Sequence, residues 1–183
     1  DAKIWDKAIL HAKKIDSPVG LKLIDWLRLR ASDGEFHEFH EFLNLNPDWP
    51  GLALLKSKGE YKLSKDISTT DTIKYFENTF PSSGKGSLML ANSLSIIGEI
   101  DAAKKIALVA WLSQTFSDED FTEMINRYGP ILQKSNSIRL DNMLWLRSKT
   151  SVNQMLYLVS KTEQTMAKVR LALQNGVEKP SIY

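Results

Sequence analysis

Asn46-Pro-Asp-Trp-Pro-Gly-Leu-Ala-Leu-Leu55 lies between two amphipathic helical segments and holds a helix stop, a corner and a helix start. Asn46-Pro47 is expected to close the preceding helix, because proline biases its predecessor away from the α region. Asp48 is the expected cap of the following helix, with Pro50 near its first turn, where a missing N–H costs nothing. Trp49 is then held at a helix–helix corner, where it can fill the wedge between two packed elements.

Outward from this corner the chain keeps the same punctuation. Ile4, Trp5, Ala8, Ile9 and Ala12 fall on one helical stripe, and Ser17-Pro18 predicts an N-cap followed by proline at the first helical position, opening a helix to about Arg30. Ala31 to Gly34 is a turn, and Phe36, Phe39, Phe42 and Leu43 form the apolar face of the next helix. After the corner a helix is expected to about Leu63, and Ser68 to Thr70 can cap another. Pro81 to Gly86 is expected as a loop, and Leu88 to Ile97 as a helix that Gly98 closes in a left-handed C-cap position. Asp101 to Gln114 reads as an Ala-rich helix, and Ser117 to Asp120 starts the next with acids at its positive dipole end. Gly129-Pro130 is expected to break that helix. Segments 138–145, 152–159 and 162–174 complete the set, Asn175-Gly176 stops the last, and residues 178–183 form a tail.

No stretch shows sustained period-two alternation between hairpin signals. The fold class is therefore all-α, with about eleven helices of ordinary length, roughly 10–15 residues. Short connections imply antiparallel neighbours and stacked helix hairpins. Gly98 to Lys104 resembles a tetratricopeptide turn, but no fixed period holds along the chain. The expected architecture is an irregular α-superhelix, a solenoid over residues 1–177, with a compact orthogonal bundle as the alternative.

The composition excludes more than it assigns. The 183 residues carry 43% hydrophobic and 25% charged side chains, as an ordinary globular domain does. The net charge is +2, and no basic stripe with interleaved aromatics argues for nucleic acid. There are no cysteines, which removes disulfide scaffolds, zinc ribbons and thiol nucleophiles. No apolar run approaches the ~20 residues needed to span a bilayer. Position 1 is Asp, so a mature or trimmed chain is expected, with any export signal removed.

Candidate chemistry does not rise above background. His37-Glu-Phe-His-Glu41 places two histidines at i and i+3 rather than the i and i+4 of a helical zinc protease motif, with no third ligand, so a polar face opposite Phe36, Phe39 and Leu43 is expected and no metal. Gly84-Lys-Gly-Ser87 departs from a phosphate loop, because Thr79 and Gly86 occupy the places of its first glycine and its Ser or Thr. Carboxylate pairs such as Glu35/Glu38 and Asp118/Asp120 sit at helix starts or on polar faces and lack a pocket that would split their pKa values. The five tryptophans, Trp5, Trp26, Trp49, Trp111 and Trp145, fall at apolar helix positions or at the corner, where core packing is expected, although one of them can line a sugar-stacking groove. No catalytic residue and no cofactor is expected.

Several segments, in order, resemble the N-terminal superhelical domain of the soluble lytic murein transglycosylases, periplasmic enzymes that cleave peptidoglycan glycan strands. They are Leu23 to Leu29, Phe42 to Leu52, Ile73 to Phe76 with Pro81, and Gly84 to Leu94 followed by Gly98. Ala107 to Trp111 with Phe116, Phe121 to Gly129, Arg139-Leu-Asp-Asn-Met-Leu-Trp145, and Ala167 to Leu173 with Arg170 continue the series. Trp26, Pro47, Asp48, Trp49, Pro50, Trp111, Arg139, Asp141 and Trp145 carry most of it. The resemblance implies a non-catalytic α-superhelix, a fragment of a longer enzyme of Gram-negative periplasm, whose partners are peptidoglycan and its own C-terminal lysozyme-like domain. The family's Glu-Ser motif and later Gly-Leu-Met-Gln segment are absent, so no glutamate here inherits the catalytic role. A freestanding helical-repeat adaptor that binds a protein on its concave face is the alternative.

Overall fold

A computed structural model describes residues 2–14, 16–77, 79–174 and 176. These residues form eleven α-helices and no strand. The helices gather into two compact units, Asp1–Ser64 and Lys65–Tyr183. The first unit holds α1 (Ala2–Lys14), α2 (Pro18–Arg30), α3 (Phe36–Leu45) and α4 (Leu52–Glu60). The second holds α5 (Thr69–Tyr75), α6 (Gly84–Ile96), α7 (Ile100–Ser113), α8 (Asp118–Leu132), α9 (Asn136–Trp145), α10 (Lys149–Met155) and α11 (Lys161–Gln174). Short 3-10 turns at Gln133–Ser135 and Leu156–Leu158 follow α8 and α10. Among the described residues no helix is long and apolar enough to cross a membrane.

Local chemistry explains most of the boundaries. Ser17, Ser68, Ser83, Ser117 and Ser148 each accept a backbone N–H from the first turn of the helix they precede, satisfying a donor that has no intrahelical partner. Glu35 and Glu38 close a reciprocal capping box at the start of α3, which gives that carboxylate pair its role. Gly98 adopts φ +88°, and two bonds surround it: its N–H donates to the Ser95 carbonyl at 3.2 Å, and the Glu99 N–H donates to the Leu94 carbonyl at 2.9 Å. This is a Schellman closure, and it needs a residue that tolerates the left-handed region.

Four boundaries differ from the reading of the sequence. Asp48 does not cap α4: Asn46 to Trp49 forms a turn closed by a 3.1 Å bond from the Trp49 N–H to the Asn46 carbonyl, which leaves Asp48 exposed upstream. Gly51, at φ +72°, takes the cap position instead, and α4 ends at Glu60. The expected loop at 81–86 already contains the start of α6, because Ser83 caps it and Gly84 is its first residue. Pro130 does not break α8. It sits in the last turn, where few bonds follow, and the Gln133 N–H donates across it to the Gly129 carbonyl. The tail at 178–183 and the stop at Asn175 lie outside the described residues, while Gly176 has φ +76°.

Within each unit, the main contacts join a helix to its successor or to the next helix but one. In the first, α1 packs on α2, and α3 on α4, with α2 against both α3 and α4. Leu29, Phe39, Phe42 and Leu55 form the core there. In the second, α6 packs on α7 and α8, α7 on α8 and α9, and α9 on α10 and α11. Its core joins Ala103, Ala107, Ala110 and Trp111 of α7 to Phe121, Met124, Met143 and Met155, the alanines providing the small surface that close helix crossings need.

Candidate functional site

The residues singled out in the sequence separate into three places. The first is the corner of the first unit. Trp49 packs edge-on against Phe42, ring centroids 6.0 Å apart, and is half-buried against the Leu29–Leu55 core. Its indole N–H is buried without an acceptor among the described residues. Trp26 of α2 donates its own N–H to the Pro50 carbonyl at 2.9 Å and carries the Arg30 guanidinium 4.4 Å from its ring. Lys58 reaches back from α4 to donate to the Arg30 carbonyl and to the Ser32 hydroxyl, so a cation closes the C-terminal end of α2 at the surface. Pro47 presets the turn, and Asp48 is its other central residue.

The second place is a buried hub around Arg139 of α9, a fully buried side chain. Its guanidinium lies 4.2 Å from the Trp111 ring, 5.0 Å from Phe116 and 5.9 Å from Phe121. Nη1 donates to the Trp111 carbonyl and, at 2.9 Å, to the Gln114 carbonyl, while Nε and Nη2 have no acceptor among the described residues. Asn142, one turn along α9, donates to the Leu112 carbonyl at 2.8 Å. Together they satisfy the last carbonyls of α7 with a cation at the negative end of its dipole. Burial pushes the guanidinium down to about 9, so it is still charged at neutral pH. The α7–α8 connection is held from three further sides. Gln114 donates to the Pro81 carbonyl at 2.8 Å and accepts from Ser87 at 2.7 Å, and Gln154 donates to the Phe116 carbonyl at 3.2 Å. Gly84 comes so close that a Cβ there would lie 2.3 Å from the Thr115 carbonyl oxygen.

The third place is on the surface. Asp141 and Trp145 share the outer face of α9, and Trp145 is 73% exposed, not part of a core as its apolar position suggests. Four residues apart, they are joined by a 3.1 Å bond from the indole N–H to the Asp141 carboxylate. Arg170 of α11 pairs with Asp141 at 2.6 Å and lies 4.5 Å from the Trp145 ring. A groove of about 380 Å³ runs between α9 and α11 beside this ladder; Leu140, Leu144, Met166 and Leu173 make its apolar wall, and Asp141 and Arg170 line it too. An exposed indole, a fixed carboxylate and a guanidinium beside an apolar groove can bind a ligand that is partly planar or ring-shaped and partly hydrogen-bonding.

The remaining candidates have structural work. His40 is not opposite Phe36 but tilts against its ring, centroids 5.9 Å apart, because i and i+4 share a helix side. Glu38 pairs with Arg28, and that bond holds its carboxyl below the usual carboxylate range. Among the described residues no group of three His, Cys, Asp or Glu is placed to hold a metal ion. Gln114, Gln154 and Asn142, which pin the hub, carry no periodicity or motif that singles them out in the sequence. Comparison with protein-family models, with curated proteins and with solved structures finds no match for this chain.

Proposed function

We propose that this chain is the non-catalytic superhelical segment of a peptidoglycan lytic transglycosylase. It scaffolds or guides murein strands in the periplasm for a lysozyme-like domain elsewhere in the same enzyme. Helix contacts that run to the next or the next-but-one neighbour support an irregular solenoid of antiparallel pairs. One observation carries the functional reading: Arg139-Leu-Asp-Asn-Met-Leu-Trp145 turns Arg139 inward to the hub and Asp141 and Trp145 outward to the ladder with Arg170. One short run thus builds both a scaffold and a surface able to stack a sugar ring.

Co-sedimentation of the purified chain with murein sacculi tests this. The wild-type chain is expected in the pellet, and Trp145→Ala in the supernatant. A wild-type chain that stays in solution overturns guidance, and anhydromuropeptide release by the chain alone overturns its non-catalytic standing. Leu146, Met166 and Leu173, exposed around the ladder, favour a second reading, a protein-binding adaptor. Under that reading sacculi are ignored whatever stands at position 145.

A further inference from the structure

The first hairpin of the first unit, α1 with α2, gathers positive charge that the rest of the chain lacks. Residues 2–30 hold seven Lys or Arg and three Asp, a net +4, whereas the remaining residues hold 17 cations and 19 acids, a net −2. We infer that one face of this hairpin docks on an anionic phospholipid surface. The inference is independent of the murein reading.

The face follows from how the two helices meet. A short connection makes them antiparallel. Ala12 of α1 is buried against Gly20 of α2, where a Cβ would lie 3.7 Å from that of Ala12. Trp5, Ala8 and Ile9 share the Ala12 stripe and are half-buried. About a quarter-turn from this contact, on the same side of the antiparallel pair, stand Ile4 of α1 and Val19 and Leu23 of α2. They are 63%, 68% and 44% exposed, and Leu27 extends the α2 stripe at i+4 from Leu23. The packing of the hairpin therefore leaves an apolar patch on its outside.

Cations rim that patch. Lys7 and Lys14 of α1 and Lys22 and Arg30 of α2 are exposed, and the three lysines make no ion pair among the described residues. The acids do not offset them. Asp25 is turned to the other side of α2, 3.9 Å from Arg28, and Asp6 falls on the opposite side of α1. Aliphatic side chains set among lysines match a bilayer interface, where the apolar groups enter the acyl boundary and the ammonium groups reach lipid phosphates. A soluble polyanion would use the lysines and leave Ile4, Val19 and Leu23 in water. Each helix has 13 residues, short of the ~20 needed to span, so the hairpin lies on the surface.

Sedimentation of the purified chain with sucrose-loaded vesicles tests this, using phosphatidylglycerol and phosphatidylcholine in equal parts against phosphatidylcholine alone. The chain is expected to pellet with the anionic vesicles only. It should be released as salt rises from about 0.1 to about 1 M, where the screening length falls from ~10 to ~3 Å. Lys7→Glu with Lys14→Glu weakens binding at least about tenfold, and Ile4→Ser with Leu23→Ser about tenfold, with circular dichroism checking that the helices persist. Lys105→Glu with Lys168→Glu makes the same change of charge at exposed positions of α7 and α11 and should bind within about twofold of wild type. Pelleting with neither vesicle, or equally with both, overturns the inference, and so does an equal loss from the α7 and α11 pair. Heparin binding that needs the lysines, beside vesicle binding indifferent to Ile4 and Leu23, assigns the face to a polyanion and overturns it too. A dimer that Leu23→Ser dissolves assigns the face to a second copy, with the same consequence. Trp145→Ala is expected to keep vesicle binding, so losses of vesicle and of sacculus binding are read separately.

Discussion

Both units close the C-terminal end of one helix with a cation from another and set an arginine over a tryptophan, but they do so at different depths. In the first unit Lys58 reaches the Arg30 carbonyl at the surface, and Arg30 covers Trp26 at 4.4 Å. In the second a single residue, Arg139, does both jobs in the core, capping α7 and covering Trp111 at 4.2 Å. The geometries nearly coincide, so contact type does not separate them; solvent does. Water can replace Lys58 at an exposed carbonyl, whereas nothing replaces Arg139 at a buried one, and the energetic weight is expected to differ accordingly.

The largest expected effect comes from Arg139→Ala, which opens a cavity and leaves the Trp111 and Gln114 carbonyls without this donor: about 3–5 kcal/mol, measured as a fall in the urea midpoint at unchanged slope. Lys58→Ala is expected to cost under about 1 kcal/mol, and equal losses would break the comparison. Arg139→Met separates volume from capping and should recover the cavity part only. The two also differ with pH. Above about pH 9 the unfolded chain binds the Arg139 proton more tightly than the folded one, so the wild type gains stability over Arg139→Met as pH rises past that point. Across neutral pH their difference is flat. Next in size is Gly84→Ala. The added Cβ meets the backbone of Thr115, which the hub holds in place, so a cost of about 1–3 kcal/mol is expected from thermal melts.

This asymmetry marks what the sequence could show. Helix caps were legible because serine, proline and glycine act within one turn: Ser17, Ser117 and Gly98 all function where their neighbours predict. Depth was not, because it depends on which helices meet. Arg139 and Trp145 sit in one short run, and a polar residue turned inward while an aromatic one turned outward. Periodicity alone would reverse them. The α9–α11 ladder needed Arg170 from a distant segment, and the α7–α8 connection needed Gln154, whose side chain matters only once Phe116 and Asp118 lie beside it. Asp48 failed as a cap for a local reason, since Pro47 commits it to the turn.

Within the first unit the two corner tryptophans sharpen the contrast between a bonded and an unbonded indole. Trp26→Phe removes the bond to the Pro50 carbonyl and is expected to cost about 0.5–1.5 kcal/mol. Trp49→Phe removes an N–H that has no acceptor among the described residues, so its loss is expected to be smaller although both rings pack against the same core. Chemical denaturation of the pair decides it, and a costlier Trp49→Phe would show that ring volume, not hydrogen bonding, holds this corner.

The smallest stability effect is expected where the same arginine–tryptophan stack is fully at the surface. Arg170 covers Trp145 at 4.5 Å and pairs with Asp141, yet the indole is 73% exposed and the carboxylate is hydrated. Exposed ion pairs contribute about 0–1 kcal/mol, so Arg170→Ala should leave the melting temperature nearly unchanged. The ladder nevertheless fixes one face of the indole and leaves the other open, which is of use to a ligand and of little use to a core. Arg170→Ala is therefore expected to weaken sacculus binding while the fold is untouched. A drop in stability like that of Arg139→Ala would assign the ladder to the scaffold instead and remove the reason for treating it as a binding surface.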